Sequence, residues 1–185
     1  MRRAVSVACA VLAGAAAAAA CGRSRAPGTE RAGGPSATVA LTSTAFAPRT
    51  AIPTRYSCDG ANVPPPLHWA GVPSGTAEVA FTIEDPDAPK GTFVHWIVTG
   101  LPSTPEGDLG TTGLPPGARQ LPGSAGRTSY VGPCPPHGGT HHYYFQVLAL
   151  ERHVEVPDRL TPLEKVRLLR RSARARGQLI GTFTR

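Results

Sequence analysis

The sequence predicts a mainly β protein, antiparallel sheets with one C-terminal α-helix. Three observations predict it. Short runs with alternating apolar character or β-branched and aromatic residues recur along the chain, and most of the 20 prolines and 21 glycines fall between them. A single capped amphipathic segment then stands near the end.

Taken in order, strands are expected near 38–42, 67–69, 77–84, 92–99 and 143–151. The stretch 103–128 is rich in Gly and Pro and reads as a long connection. Thr161 is a good N-cap, Pro162 suits the first helical position, and Glu164 completes a capping box. Leu163, Val166, Leu169 or Arg170, and Ala173 recur at helical spacing, and Gly177 is suited to end the helix. Residues 178–184 read as a last short strand or extended tail.

Arg2 and Arg3 followed by the apolar stretch 4–20 read as a secretory signal, residues 1–20. Alanine and glycine dominate that stretch, which gives little burial for a membrane span. Ala18-Ala19-Ala20-Cys21 resembles a bacterial lipoprotein cleavage box, so Cys21 is the expected lipidation site. Residues 21–37 lack apolar periodicity and read as a disordered tether. Residues 38–185 form the expected folded domain, an ordinary single-domain length. The implied location is extracytoplasmic, anchored to the membrane by lipid.

The formal charge of +7 is not a nucleic-acid signature. Arg2 and Arg3 leave with the signal, and Lys165, Arg167, Arg170, Arg171, Arg174, Arg176 and Arg185 concentrate the remaining excess at the C-terminal end. The rest is near neutral. That basic segment reads as a solvated helix face, with contact to anionic lipid as the alternative. Of the four cysteines, Cys9 lies in the signal and Cys21 at the lipid site. Cys58 and Cys134 remain, either as a disulfide that an exported compartment permits or as two small buried apolar residues.

Chemistry-bearing residues gather in short clusters: Asp85-Pro86-Asp87-Ala88-Pro89, His95-Trp96, Gly132-Pro133-Cys134-Pro135-Pro136 and His141-His142-Tyr143. Proline removes a ladder donor and restricts the residue before it, so the first cluster reads as a rigid loop. On extended backbone Asp85 and Asp87 would face the same way, and His142 would point opposite to His141. Histidines, a tyrosine hydroxyl and convergent backbone N–H groups suit an anion, and the carboxylates would orient the imidazoles or take an ammonium group. Trp69 and Trp96 read as packing residues, with Trp96 also a candidate pocket floor.

These clusters, with Tyr56-Ser57-Cys58-Asp59-Gly60 and the run from Pro64 to Trp69, resemble the phosphatidylethanolamine-binding proteins, in particular the bacterial Raf kinase inhibitor-like branch. The resemblance runs from about Val39 to the C-terminus. It implies sheets of that family's type and a small cavity accepting phosphate, acetate or a phospholipid headgroup, lined by Asp85, Asp87, Pro89, His95, Cys134, Pro135, His141 and Tyr143. It also implies a cis bond between Ala88 and Pro89, and suggests neither metal nor cofactor.

The function expected is a lipid-anchored binding module for a small phosphorylated or carboxylated ligand, such as a phospholipid headgroup. An inhibitor of a peptidase or kinase-type protein partner is the alternative, and a hydrolase the second. No Gly-x-Ser-x-Gly or comparable nucleophile motif is present, which argues against an enzyme. The stretch from Gly123 to Ser129 departs from the family pattern by lacking Asn or Asp.

Overall fold

Alternation along the strands builds two sheets, seen in a computed structural model that describes residues 37–110 and 113–185. The signal, the lipidation site Cys21 and nearly all of the expected tether lie outside the described residues. The strands are β1 (Ala37–Thr38), β2 (Ala40–Ser43), β3 (Leu67–Ala70), β4 (Glu78–Asp85), β5 (Phe93–Leu101), β6 (Glu106–Leu109), β7 (Arg119–Leu121), β8 (Thr140–Leu150) and β9 (Ala173–Thr184). The helix α1 spans Pro162–Arg171. The larger sheet has the order β1-β9-β8-β4-β5-β7 and the smaller β2-β3-β6. Every pairing within them is antiparallel except β1 with β9, which is parallel.

The larger sheet is buried on both faces. Tyr143, Phe145 and Val147 of β8 join Phe81 and Ile83 of β4 and meet Leu41, Trp69 and Leu109 of the smaller sheet. The alternate residues Leu148 and Leu150, with Ala80, Val94 and Ile97, meet Val166 and Leu169 of α1. Strict period-two alternation along β8 therefore sorts its side chains between a sheet-on-sheet core and a helix-on-sheet core.

Three expectations are corrected. The 103–128 stretch is not all connection, because it contributes β6 and β7. Only Leu109 is buried among their residues, so these edge strands carry no apolar periodicity. The capping box forms, with Thr161 Oγ1 accepting from the Glu164 N–H and Glu164 Oε2 accepting from the Thr161 N–H at 2.8 Å. The helix nevertheless stops at Arg171, so Ala173 is the first residue of β9 and Gly177 is no cap. Pairing with β8 satisfies the backbone from Ala173 onward, and a Cβ at Gly177 would sit 2.1 Å from the Val39 carbonyl oxygen. Glycine is required there for close backbone approach.

Candidate ligand-binding site

The site begins with an irregularity in β5. Between Ile83 and Glu84, one step on β4, the partner strand advances two residues from Trp96 to Val94. His95 is the extra residue, a β-bulge that re-aims its side chain. Val94 and Ile97 both pack toward α1, whereas the His95 ring lies on the opposite face, 5.2 Å from the Tyr143 ring and 4.7 Å from Phe93. The loop from Gly123 to Ser129 braces this bulge. Ser124 Oγ accepts the Val94 N–H at 2.9 Å, and the Ser124 N–H donates to the Val94 carbonyl at 2.8 Å.

Trp96 follows the bulge into a different place. It packs edge-on against Phe81 and Tyr130, donates its indole N–H to Gln120, and borders a separate cavity of about 500 Å³. It is not the floor of the pocket around His95, a correction that follows from the turn of the chain at the bulge.

The expected pocket residues mostly converge. Asp85, Pro89, His95, Cys134, Pro135 and His141 line one cavity of about 360 Å³, joined by Phe93 and Arg185. His141 shares the face of Tyr143 on β8, and its Nδ1–H donates to Asp85 Oδ2 at 2.7 Å, both side chains being buried. The other Asp85 oxygen accepts the Asp87 N–H at 2.8 Å. Tyr143 lies behind the wall against His95.

Besides fully buried Tyr143, Asp87 is the expected lining residue that does not join them. It follows the end of β4, so strand alternation no longer aims it, and its carboxylate accepts from both the backbone N–H and Nδ1 of exposed His142, at 2.8 and 2.7 Å. Those bonds hold Asp87 below the usual carboxylate range. The expected cis bond is also absent: the described peptide bonds, Ala88–Pro89 included, are trans. The loop reverses instead through Asp85 capping the Asp87 N–H and a turn closed by the Gly91 N–H on the Ala88 carbonyl at 3.0 Å, with Gly91 at φ 92°.

Burial sets the protonation of the inner groups. His95 is held below the ordinary imidazole range by desolvation, against the opposing pull of the Val131 carbonyl and the Asp85 charge. Its Nδ1 lies 2.8 Å from that carbonyl, which can only accept, so Nδ1 carries the proton. Nε2 is then a bare lone pair, buried and without a partner. Burial and the Asp85 charge push the Tyr143 phenol up, so it keeps its proton, and the hydroxyl makes no hydrogen bond of good geometry. An acceptor and a donor thus stand unused on rings whose centroids are 5.2 Å apart.

Arg185 supplies the lasting positive charge and was missed by the sequence reading, which grouped it with the basic helix. The signal was topological: β9 runs antiparallel to β8 and Thr184 pairs with Thr140, so Arg185 arrives at the turn that precedes β8, where its carbonyl accepts the Gly138 N–H at 2.7 Å and its side chain borders the same cavity as His141. Asp59 Oδ1 accepts from Arg185 Nε at 3.0 Å, and Nη1 approaches Cys134 Sγ at 3.4 Å. Cys134 is joined to Cys58 by a disulfide, with Cα atoms 5.4 Å apart, which ties the Asp59 turn to the pocket wall. Among the described residues no group of three His, Cys, Asp or Glu is placed to hold a metal.

Comparison with known proteins agrees with this architecture. The phosphatidylethanolamine-binding protein family profile matches residues 42–184. The chain is 42% identical over 144 residues to a candidate lipoprotein, LppC, of Mycobacterium tuberculosis, covering 77% of this chain and 71% of that one. Among solved structures, E. coli YbcL, described as a member of the mammalian PEBP family, superposes with a TM-score of 0.72 at 31% identity, covering 80% of this chain and 99% of YbcL. A candidate phosphatidylethanolamine-binding protein homologue, CT736 of Chlamydia trachomatis, gives 0.69 at 30% identity, covering 80% and 98%. This chain belongs to the phosphatidylethanolamine-binding protein family.

Proposed function

We propose that this protein is an extracytoplasmic binding module, lipid-anchored at Cys21, whose cavity takes a small phosphate-bearing ligand without turning it over. The anchor is supported by the Ala-Ala-Ala-Cys box and by the likeness to a candidate lipoprotein. The observation that carries the ligand reading is the convergence on one cavity of the Arg185 guanidinium, the Asp85-oriented His141 and the unpartnered Nε2 of His95. A guanidinium fork suits a phosphoryl group, while a bare imidazole nitrogen requires a donor. A ligand with both satisfies the site: phosphate oxygens toward Arg185, and an ammonium or P–O–H toward His95. Phosphoethanolamine is such a molecule.

Calorimetric titration with phosphoethanolamine, inorganic phosphate and acetate tests this. Phosphoethanolamine should bind most tightly and be recovered unchanged. Arg185→Gln should weaken it roughly 10- to 100-fold, the range for a hydrogen bond to a charged group. Equal affinity for all three ligands, or none for phosphoethanolamine, overturns the reading.

A further inference from the structure

The basic residues near the C-terminus form a surface rather than a helix face. Ser172 turns the chain from α1 directly into β9, so Arg167, Arg170 and Arg171 of the helix and Arg176 of the strand line one open depression of about 410 Å³. Arg170 is committed to Glu84 at 2.7 Å and to Gln146 at 3.1 Å. The other arginine ion pair among the described residues is that of Arg185 with Asp59. Glu164 is occupied in the helix cap, and Glu151 reaches this end through its N–H on the Ser172 carbonyl at 3.2 Å. Arg167, Arg171 and Arg176 thus present exposed guanidiniums in excess of local acids.

A second relationship gives that surface a direction. β1 pairs in parallel with β9, Ala37 beside Ala175 and Thr38 beside Arg176. The chain therefore joins the fold at the arginine cluster. Cys21 stands 16 positions before Ala37, a span of at most about 55 Å even when fully extended. From Arg176, β9 runs on toward Arg185, and at about 3.3 Å per residue the pocket lies roughly 30 Å along the sheet.

We propose that the depression lined by Arg167, Arg171 and Arg176 is a docking surface for an anionic bilayer, and that docking turns the ligand pocket away from that bilayer. Charge complementarity selects an anionic partner, and the place where the chain joins the fold selects the membrane among anionic partners. The pocket then samples the surrounding medium rather than the headgroups beneath it. The docking surface does not depend on which ligand the pocket takes.

The test uses the chain from position 21 with Cys21→Ser, so that no acyl group contributes. It is floated with vesicles of phosphatidylcholine alone or with about three-tenths phosphatidylglycerol. Binding should appear only with the anionic vesicles and fall as salt rises. Each arginine removed should cost on the order of fivefold, so Arg167→Gln, Arg171→Gln and Arg176→Gln together should weaken binding on the order of a hundredfold. Arg55→Gln, Arg119→Gln and Arg127→Gln remove the same charge from exposed positions elsewhere and should bind like the parent. Saturating phosphoethanolamine should leave vesicle binding unchanged. Equal binding to neutral vesicles, equal loss in both triple variants, or displacement by phosphoethanolamine or millimolar inorganic phosphate overturns the proposal.

Discussion

His95 donates its Nδ1–H to the Val131 carbonyl at 2.8 Å, and that single bond determines what the ring can offer a ligand. With the proton fixed on Nδ1, Nε2 is an acceptor at the pocket wall, buried and unpartnered. A second proton there would have to be carried in a desolvated place, which holds the imidazole below its usual range.

Folding stability should therefore depend on His95 in mildly acid solution. Below the ordinary value of 6.5 the unfolded chain takes up a proton that the folded His95 refuses, so the unfolded state binds more protons. Stability rises with pH from the depressed folded value up to about 6.5 and falls on acidification through the same window. Urea unfolding between pH 5 and 8, with His95→Gln as comparison, checks this. The variant should show a shallower acid loss; an unchanged slope would exclude His95 as its source.

Asp85 and Asp87 should differ sharply despite their spacing. Asp85 is buried and holds both the His141 Nδ1–H and the Asp87 N–H, so Asp85→Ala leaves two donors stranded and should cost about 3–5 kcal/mol. Asp87 pairs with His142 where both side chains are more than two-fifths exposed, so solvent screens the pair and Asp87→Asn should cost no more than about 1 kcal/mol. The Asp87 share is present above the ordinary carboxylate value of 3.8 and is lost as pH falls through its lowered folded value. Chemical denaturation at neutral pH ranks the two, and equal losses would contradict the placement of Asp87 outside the pocket.

The contrast shows where the sequence was legible. Alternation in β8 correctly separated His141 from His142, because a strand's period continues as long as its pairing does. The same rule failed for Asp87, which lies two residues past Asp85, the last paired residue of β4, and for Ala173, where pairing with β8 overrode a helical period. The bulge at His95 left no mark in composition, since it depends on Ser124 bonding back to Val94 across the sheet edge. Arg185 was hidden because its neighbours in space, Asp59 and Cys134, come from distant parts of the chain.

Arg185 should make phosphate recognition persist at alkaline pH. A guanidinium stays charged wherever the fold survives, whereas His95 is neutral through the physiological range. Phosphoethanolamine binding should remain measurable at pH 8 and should be weakened there by roughly 10- to 100-fold in Arg185→Gln. Arg185→Lys should recover part of it, because an ammonium keeps the charge without the planar fork. Titrations at pH 6 and pH 8 decide; disappearance of parent binding at pH 8 would return the charge to the histidines.

The Cys58–Cys134 disulfide should matter to both stability and ligand affinity, through its place in the chain. The bond closes a loop of sequence separation 76, and restraining a loop of that length in the unfolded chain is worth about 4 kcal/mol in the entropic account. Its partners explain the second effect. Cys58 precedes Asp59, which holds Arg185 Nε, while Cys134 lines the cavity and touches Arg185 Nη1. The Cys58 N–H also donates to the Pro133 carbonyl at 3.0 Å, so the two segments keep one backbone bond when the sulfurs part. Cys58→Ser with Cys134→Ser should thus remain folded in mild conditions, unfold at lower urea, and bind phosphoethanolamine more weakly because the guanidinium is less firmly placed. Measuring affinity well below the unfolding midpoint separates the two effects. Loss of stability with undiminished affinity would mean that the Asp59 ion pair positions Arg185 without help from the crosslink.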